Sequence, residues 1–449
     1  MNTCKTIENS HRKFVAWLVI LTAVGQASGL AVAKPTFVGW NDISRWCTVW
    51  GLLERGTYAI DECPWQAWTQ DKVYAPRAAA GGGTSAKHFY SSKPPLLPTA
   101  IACLLYPLRA ASGIPLEAEV HLGGPPLPAY ILYFKPIILL LNVLPFGIFL
   151  VLYARLLDRH AASDWSWFIS LFVATWGTQL FAFTDALSNH TIGAFCAFFA
   201  AYSALRIWEG GTGDGYPFAL AGFFGALCAC NELPATLFGC LIFIELFARD
   251  PRRTLLYFVP AACVPCLAFL AIQYLAFGSL IPAYGRPEWY LYEGSYWANP
   301  QGNDLLAEPK PIYLFHMVAG HHGMFSLTPI LLLSAYSLAL CLRGRSDRLS
   351  ALARVTGVST AAMLAFYTWR THNYGGISQA PRWLLWLFPL WLALLPQGLD
   401  AVRDRPRIRR LALAAVFASA FSVGYALQGS WSKPWLQQLL TFLGLCDEY

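Results

Sequence analysis

Long apolar runs, broken by short polar or proline-rich stretches, recur from one end of the chain to the other. A helix needs about 20 apolar residues to cross a bilayer, and in lipid its backbone polar groups must be satisfied internally. The runs therefore predict membrane helices. The pattern gives eleven: Phe14–Ala33, Ile131–Tyr153, Trp165–Thr184, Thr191–Leu205, Tyr216–Cys230, Leu233–Ala248, Thr254–Phe277, Phe325–Leu342, Ala351–Trp369, Trp383–Leu399 and Leu411–Leu427. Those between Thr191 and Ala248 are short. The expected fold class is an all-α integral membrane protein, one polytopic unit over residues 1–449.

Composition agrees. The chain is 56% hydrophobic and 13% charged, whereas a soluble domain carries about 25% charged residues. The net charge of +7 calls for no nucleic acid, because arginines between membrane helices account for it. With Lys5, Arg12 and Lys13 in the cytoplasm, the inner loops collect Arg155, Arg159, Arg206, Arg249, Arg252 and Arg253. They also collect Arg343, Arg345, Arg348, Arg354, Arg403, Arg405, Arg407, Arg409 and Arg410, so 18 of the 32 basic residues fall inside. This excess orients the chain in a cell (inner) membrane with its N-terminus cytoplasmic. The "GLAVAKP" stretch also fits a signal-peptidase site, but the apolar run is long for a signal core and Pro35 follows the pattern.

Most of the 12 cysteines fall in membrane helices, where "CAC" and "CVPC" read as small packing residues. Cys47 and Cys63 differ, lying together in an outer loop where an oxidising compartment would let them pair.

Two outer loops are long, 34–130 and 278–324, and too aromatic for disorder. In the first, "NDISRWCTVWGLLERG" sets Ile43, Trp46, Cys47, Trp50 and Leu53 on one helical face, with Asn41 or Asp42 at the start and Gly56 at the end. Such a helix is expected in the membrane interface, apolar face down, with Asp42 and Arg45 sharing the outward face. The glycine-rich "RAAAGGGTSAKHF" follows. Then "HFYSSKPPLLP" holds Lys93 in a stiff proline corner before a run, Leu96–Leu108, that is broken by Pro98 and Pro107 and too short to span. It reads as a second interfacial or re-entrant helix.

The ionisable groups expected at the outer boundary are Asp42, Arg45, Lys93, Asp185, His190, Glu232, Arg286, Glu288, His321, His322, Arg370, His372 and Arg382. Charges near lipid are costly and mark function by default. Cations and carboxylates on one face suit a phosphate-bearing lipid and a proton to be removed. Sugar transfer from a polyprenyl phosphate needs a carboxylate base for the acceptor hydroxyl and cations for the departing phosphate.

"NDISRWCTVWGLLERGTYAID" followed by "FYSSKPPLL" resembles the first outer loop of polyprenyl-phosphate-sugar-dependent glycosyltransferases of the GT-C fold. The nearest groups are glycosyltransferase family 39 with the protein O-mannosyltransferases, and the lipid A aminoarabinose transferases. The likeness covers the N-terminal half and the eleven-helix layout. It implies a base at Asp42, a phosphate contact at Lys93, and Asp185 as the acid after the third span. Arg45, Arg286 and Arg382 are the further candidates for donor phosphate, with His190, Glu232, His321, His322 and Tyr374 in support. The chain departs from the family at Ile43, where a second acid is common, and at Ser92, where a glutamate often precedes Lys-Pro.

No metal or other cofactor is expected, since adjacent His321 and His322 point different ways on a helix and no metalloprotease pattern is present. The bland alternatives are that Asp42 only caps its helix, that Lys93 only snorkels to headgroups, and that "NYGGISQAPRW" is a tight turn with an interfacial anchor. A transporter or lipid flippase is the competing function, but no internal repeat is found and the charges gather at one boundary. The expected partners are a polyprenyl-phosphate-linked sugar, a glycan, lipid or protein acceptor, and membrane lipids, with the site on the outer face.

Overall fold

The structure is a computed structural model describing residues 2–76, 86–121, 124–210, 213–306, 308–344 and 349–446, with side chains except at 2–10 and 303. Arg345, Arg348 and most of the glycine-rich stretch lie outside the described residues, as does the Lys5 side chain.

The order is α1 (Asn2–Ala33), then α2 (Trp40–Trp50) and α3 (Leu96–Ser112) in the first long loop. Next come α4 (Tyr130–His160), α5 (Asp164–Asp185), α6 (Asn189–Trp208), α7 (Tyr216–Asn231), α8 (Leu233–Phe247) and α9 (Pro251–Phe277). The second long loop holds α10 (Lys310–Val318). The chain continues through α11 (Leu331–Leu342), α12 (Ser350–Arg370), α13 (Arg382–Asp400), α14 (Pro406–Ala426) and α15 (Trp435–Phe442). The longer of two small antiparallel strand pairs joins β1 (Lys72–Pro76) to β2 (Lys87–Ser91).

Each of the eleven expected spans is largely helical, the third bending at Gly177 and Thr178, and the protein is an all-α membrane protein. Among the described residues seven helices are long and apolar enough to cross a membrane: α1 from His11, α4, α5, α6, α9, α13 and α14. Helices α3, α7, α8 and α11 are apolar but shorter. The ninth span, α12, has 21 residues but falls outside the seven, because Arg354, Thr356, Ser359 and Thr360 dilute its apolar content. The eighth is not continuous from Phe325: a single turn, Met324–Leu327, precedes Pro329 and α11.

Burial separates centre from rim. Helix α13 is enclosed, with Leu384–Leu395 buried, and packs on α11, α5 and α6. The Tyr153 hydroxyl of α4 donates to the Leu392 carbonyl at 2.7 Å. Helices α1, α9 and α14 instead expose Phe14, Trp17, Leu267, Leu275, Leu411 and Phe417, as a lipid-facing surface must. Asn142, in a π-turn of α4, donates to the carbonyls of Thr184 and Ala186 at 3.1 and 2.7 Å. That satisfies the backbone where α5 ends.

The first long loop departs from its expected form in two ways. Helix α2 is not laid on an interface, because Asn41–Trp50 are all buried. It packs against α3 and β2, and Trp46 stacks on Phe134 with ring centres 3.7 Å apart. Gly56 ends the following π-turn in the left-handed region, φ 64°, as expected. Helix α3 is not broken by its prolines. Pro98 sits in the first turn, where no intrahelical donor is lost, and the helix continues through Pro107.

Candidate functional site

A cavity of about 920 Å³ opens where both long loops, the starts of α6 and α13 and the ends of α7 and α12 converge. Helix α2 contributes Arg45. The strand pair contributes Asp71 and Lys93, because its register sets Lys72 opposite Ser91 and so brings the residues just outside the ladder together. The Ser92 amide donates to the Asp71 carbonyl at 3.0 Å, and Ser44 donates to that carbonyl at 2.5 Å. Asp71 and Lys93 form an ion pair at 3.0 Å. Burial holds the Lys93 ammonium below its usual pKa, and Asp71 pulls it back up.

Arg45 is buried with neutral partners. Its guanidinium donates to the Asn41 carbonyl at 2.8 Å and to the side-chain oxygens of Asn41 and Asn189. Burial brings its pKa down to about 10. Asn189 in turn donates to Glu232 at 2.5 Å, and Glu232 pairs with His190. Arg382 lies over the Trp431 ring at 4.5 Å, and its Nε is buried with no partner. Among the described residues no carboxylate sits within ion-pair distance of Arg45 or Arg382. An unpaired buried cation costs several kcal/mol, so Arg45, with half-buried Arg382 on the same cavity, gives that wall a chemistry suited to an anion.

The turn after α12 leaves room for Arg382. Gly375 and Gly376 have φ of 95° and 71°, and a Cβ on Gly375 would sit 3.0 Å from Arg382 Nε. The second loop adds Asp304, which accepts from the Tyr296 hydroxyl at 2.9 Å. Burial raises its pKa, against that bond and Arg382. Trp297 fixes this loop over the strand pair by donating to the Gln70 carbonyl at 2.7 Å. A second chamber of about 560 Å³, bounded by Trp40, Tyr296 and Trp431, shares Asp71, Asp304 and Arg382 with the first.

Of the residues singled out from sequence, Arg45, Lys93, His190, Glu232 and Arg382 line the cavity, and six do not. Asp42 does not share an outward face with Arg45. It is fully buried, and its oxygens accept from the amides of Val38, Gly39 and Ile43 at 2.9–3.0 Å, capping α2. Asp185 accepts from Ser430 at 3.0 Å and lies 3.8 Å from Lys34, clamping helix ends. Arg286 turns toward Glu288, 3.8 Å away, and the face of Trp289. His321, His322 and Tyr374 form a separate buried group. Cys47 and Cys63 are buried free thiols in contact, with burial raising the Cys47 thiol.

Sequence reasoning missed Asp71 and Asp304. The signal for Asp71 was present: "KVYAP" and "KHFYS" are strand-like segments on either side of a glycine-rich stretch. Asp304 sits in an irregular loop and carries no such signal.

No protein-family model and no curated protein matches the chain. Among solved structures it is similar to the crystal structure of the Archaeoglobus fulgidus oligosaccharyltransferase in its apo form, at 12% identity and a TM-score of 0.46. The match covers 94% of this chain and 58% of that one, so this chain spans less than two thirds of that protein's length.

Proposed function

We propose that the chain is a membrane glycosyltransferase that moves a sugar from a polyprenyl-phosphate donor to an acceptor hydroxyl at the outer face of the membrane. The observation that carries this reading is a pair of guanidiniums, Arg45 buried and Arg382 half-buried, that face one cavity with Lys93 and have no carboxylate within ion-pair distance among the described residues. A donor phosphate would satisfy all three through charge-assisted hydrogen bonds. Leu233, Pro234, Phe366 and Tyr367 make an apolar flank of the same cavity, suited to the first units of a polyprenyl tail. A flippase would need no carboxylate at the phosphate site, whereas this cavity has three: Asp71, Glu232 and Asp304.

We assign the base to Asp71 rather than Asp42. Asp71 stands on the wall shared by the two chambers, while Asp42 is sealed beneath the first turn of α2. Phosphate binding to Lys93 would loosen the Lys93–Asp71 pair. The acceptor oxygen then attacks the anomeric carbon, the bond from that carbon to the phosphate oxygen breaks with its electron pair leaving on phosphate, and Asp71 takes the hydroxyl proton. Arg45 and Arg382 stabilise the charge that grows on the phosphate.

The test is consumption of polyprenyl-phosphate sugars by the purified protein. With the donor found, Asp71→Asn should bind it and lose on the order of 10²-fold or more in transfer. Near-parental turnover by Asp71→Asn would remove Asp71 as the base. No consumption of any lipid-linked sugar, with phospholipid moved between leaflets instead, would replace the reading with a flippase.

A further inference from the structure

A second polar group lies outside the cavity, where the second long loop meets the turn carrying Tyr374. Glu308 precedes α10, His316 sits in its last turn, and His321 and His322 follow in "GHHG". Glu308, His316 and His321 each offer a ligand atom, all within 4.8 Å of one another. The spacing of His321 and His322 alone argues against two ligands; it is His316, folded back onto His321 with ring centres 3.9 Å apart, that completes the group. Gly320 makes this approach feasible, because a Cβ there would lie 2.1 Å from His316 Nδ1.

The tautomer of His321 is the second observation. Its Nδ1 lies 2.6 Å from His322 Nδ1, so one ring donates and the other accepts. The residue has no exposed surface, and its Nε2 is buried with no protein partner. If His321 donates from Nδ1, Nε2 carries a bare lone pair, the state that an outer hydrogen bond imposes on metal-bound histidines. The His321 amide reaches His316 Nδ1 only at 3.4 Å, a weak bond that a metal would replace.

We propose that Glu308, His316 and His321 bind one divalent transition metal, with water completing the coordination. Two imidazoles and a carboxylate fit zinc best. The metal would act as a tether rather than a reactant. Tyr374 donates to Glu308, and its ring stacks on His322 at 4.6 Å and on Tyr313 at 4.9 Å. Tyr374 leads directly into Gly375 and Gly376, the turn that makes room for Arg382.

The test reads binding without turnover, so it stands or falls apart from the proposed transfer reaction. Untagged full-length protein in detergent is stripped with chelator and titrated with Co²⁺, then with Zn²⁺. Expected is a four- or five-coordinate Co²⁺ spectrum saturating near about one equivalent and displaced by Zn²⁺. Glu308→Gln and His321→Gln should each weaken affinity by about 10-fold or more. An octahedral aqua spectrum in the parent, or no Zn²⁺ retained after desalting from excess, overturns the site without recourse to any variant. Parental affinity in a well-folded Glu308→Gln, His321→Gln double variant overturns it as well.

Discussion

Asp42 is a carboxylate whose charge is costly where it lies. Burial pushes its pKa up to about 7, while the amides of Val38, Gly39 and Ile43 and the nearby Arg45 pull it down. An unfolded aspartate titrates near 3.8. Between these values the native chain keeps a proton that the unfolded chain has released, so stability falls as pH rises through that window. At about 1.4 kcal/mol per pH unit, the span sets an upper scale of about 4 kcal/mol. Asp42→Asn keeps an oxygen to accept from the amides and removes the ionisation. Thermal unfolding in detergent between about pH 4.5 and about pH 7.5 should show a falling Tm in the parent and a flatter one in the variant. Equal slopes would mean that another group titrates there. Spacing alone identifies Asp42 and Arg45 as neighbours one turn apart. It does not say which of them meets open space, because the amphipathic reading assumes a watery face and α2 is buried all round.

Each wall of the cavity is set by a different kind of element, and they were unequally visible. The proline corner is local chemistry, so Lys93 was legible from "KPP" alone. The strand pair that brings Asp71 to it depends on pairing across residues outside the described set, and its short segments give a weak period. Arg382 was legible as an anchor, but its route was not, since that depends on the backbone of Gly375 and Gly376. Here the element makes a prediction. Gly375 adopts φ 95°, and a Cβ would meet Arg382 Nε at 3.0 Å and Cγ at 3.1 Å. Gly375→Ala should therefore displace Arg382 while leaving the helices intact. Donor affinity should drop by about 10-fold or more, the scale of one hydrogen bond to a charged group, at unchanged far-UV circular dichroism. Unchanged affinity would show that Arg382 does not depend on this turn.

At the scale of the whole molecule the apolar pattern did most of the work, because lipid requires each span to satisfy its own backbone. That logic predicts helices and leaves loops unspecified, which is why the eleven spans were legible and the six residues away from the cavity were not told apart from the five that line it. The same logic yields an orientation. Both long loops meet at the cavity end, and the arginine-rich loops 154–164, 249–253 and 400–410 connect helices at their other ends. By the positive-inside rule we propose that the arginine-rich end faces the cytoplasm and the cavity the outer face. Two exposed positions test this on a cysteine-free background: Glu62, with 70% of its side chain exposed near the strand pair, and Arg403, 47% exposed beyond α13. In intact cells a membrane-impermeant maleimide should label Glu62→Cys and spare Arg403→Cys until the membrane is opened. Labelling of Arg403→Cys alone would turn the cavity to the cytoplasm, where its donor would have to be a lipid-linked sugar presented on the inner leaflet.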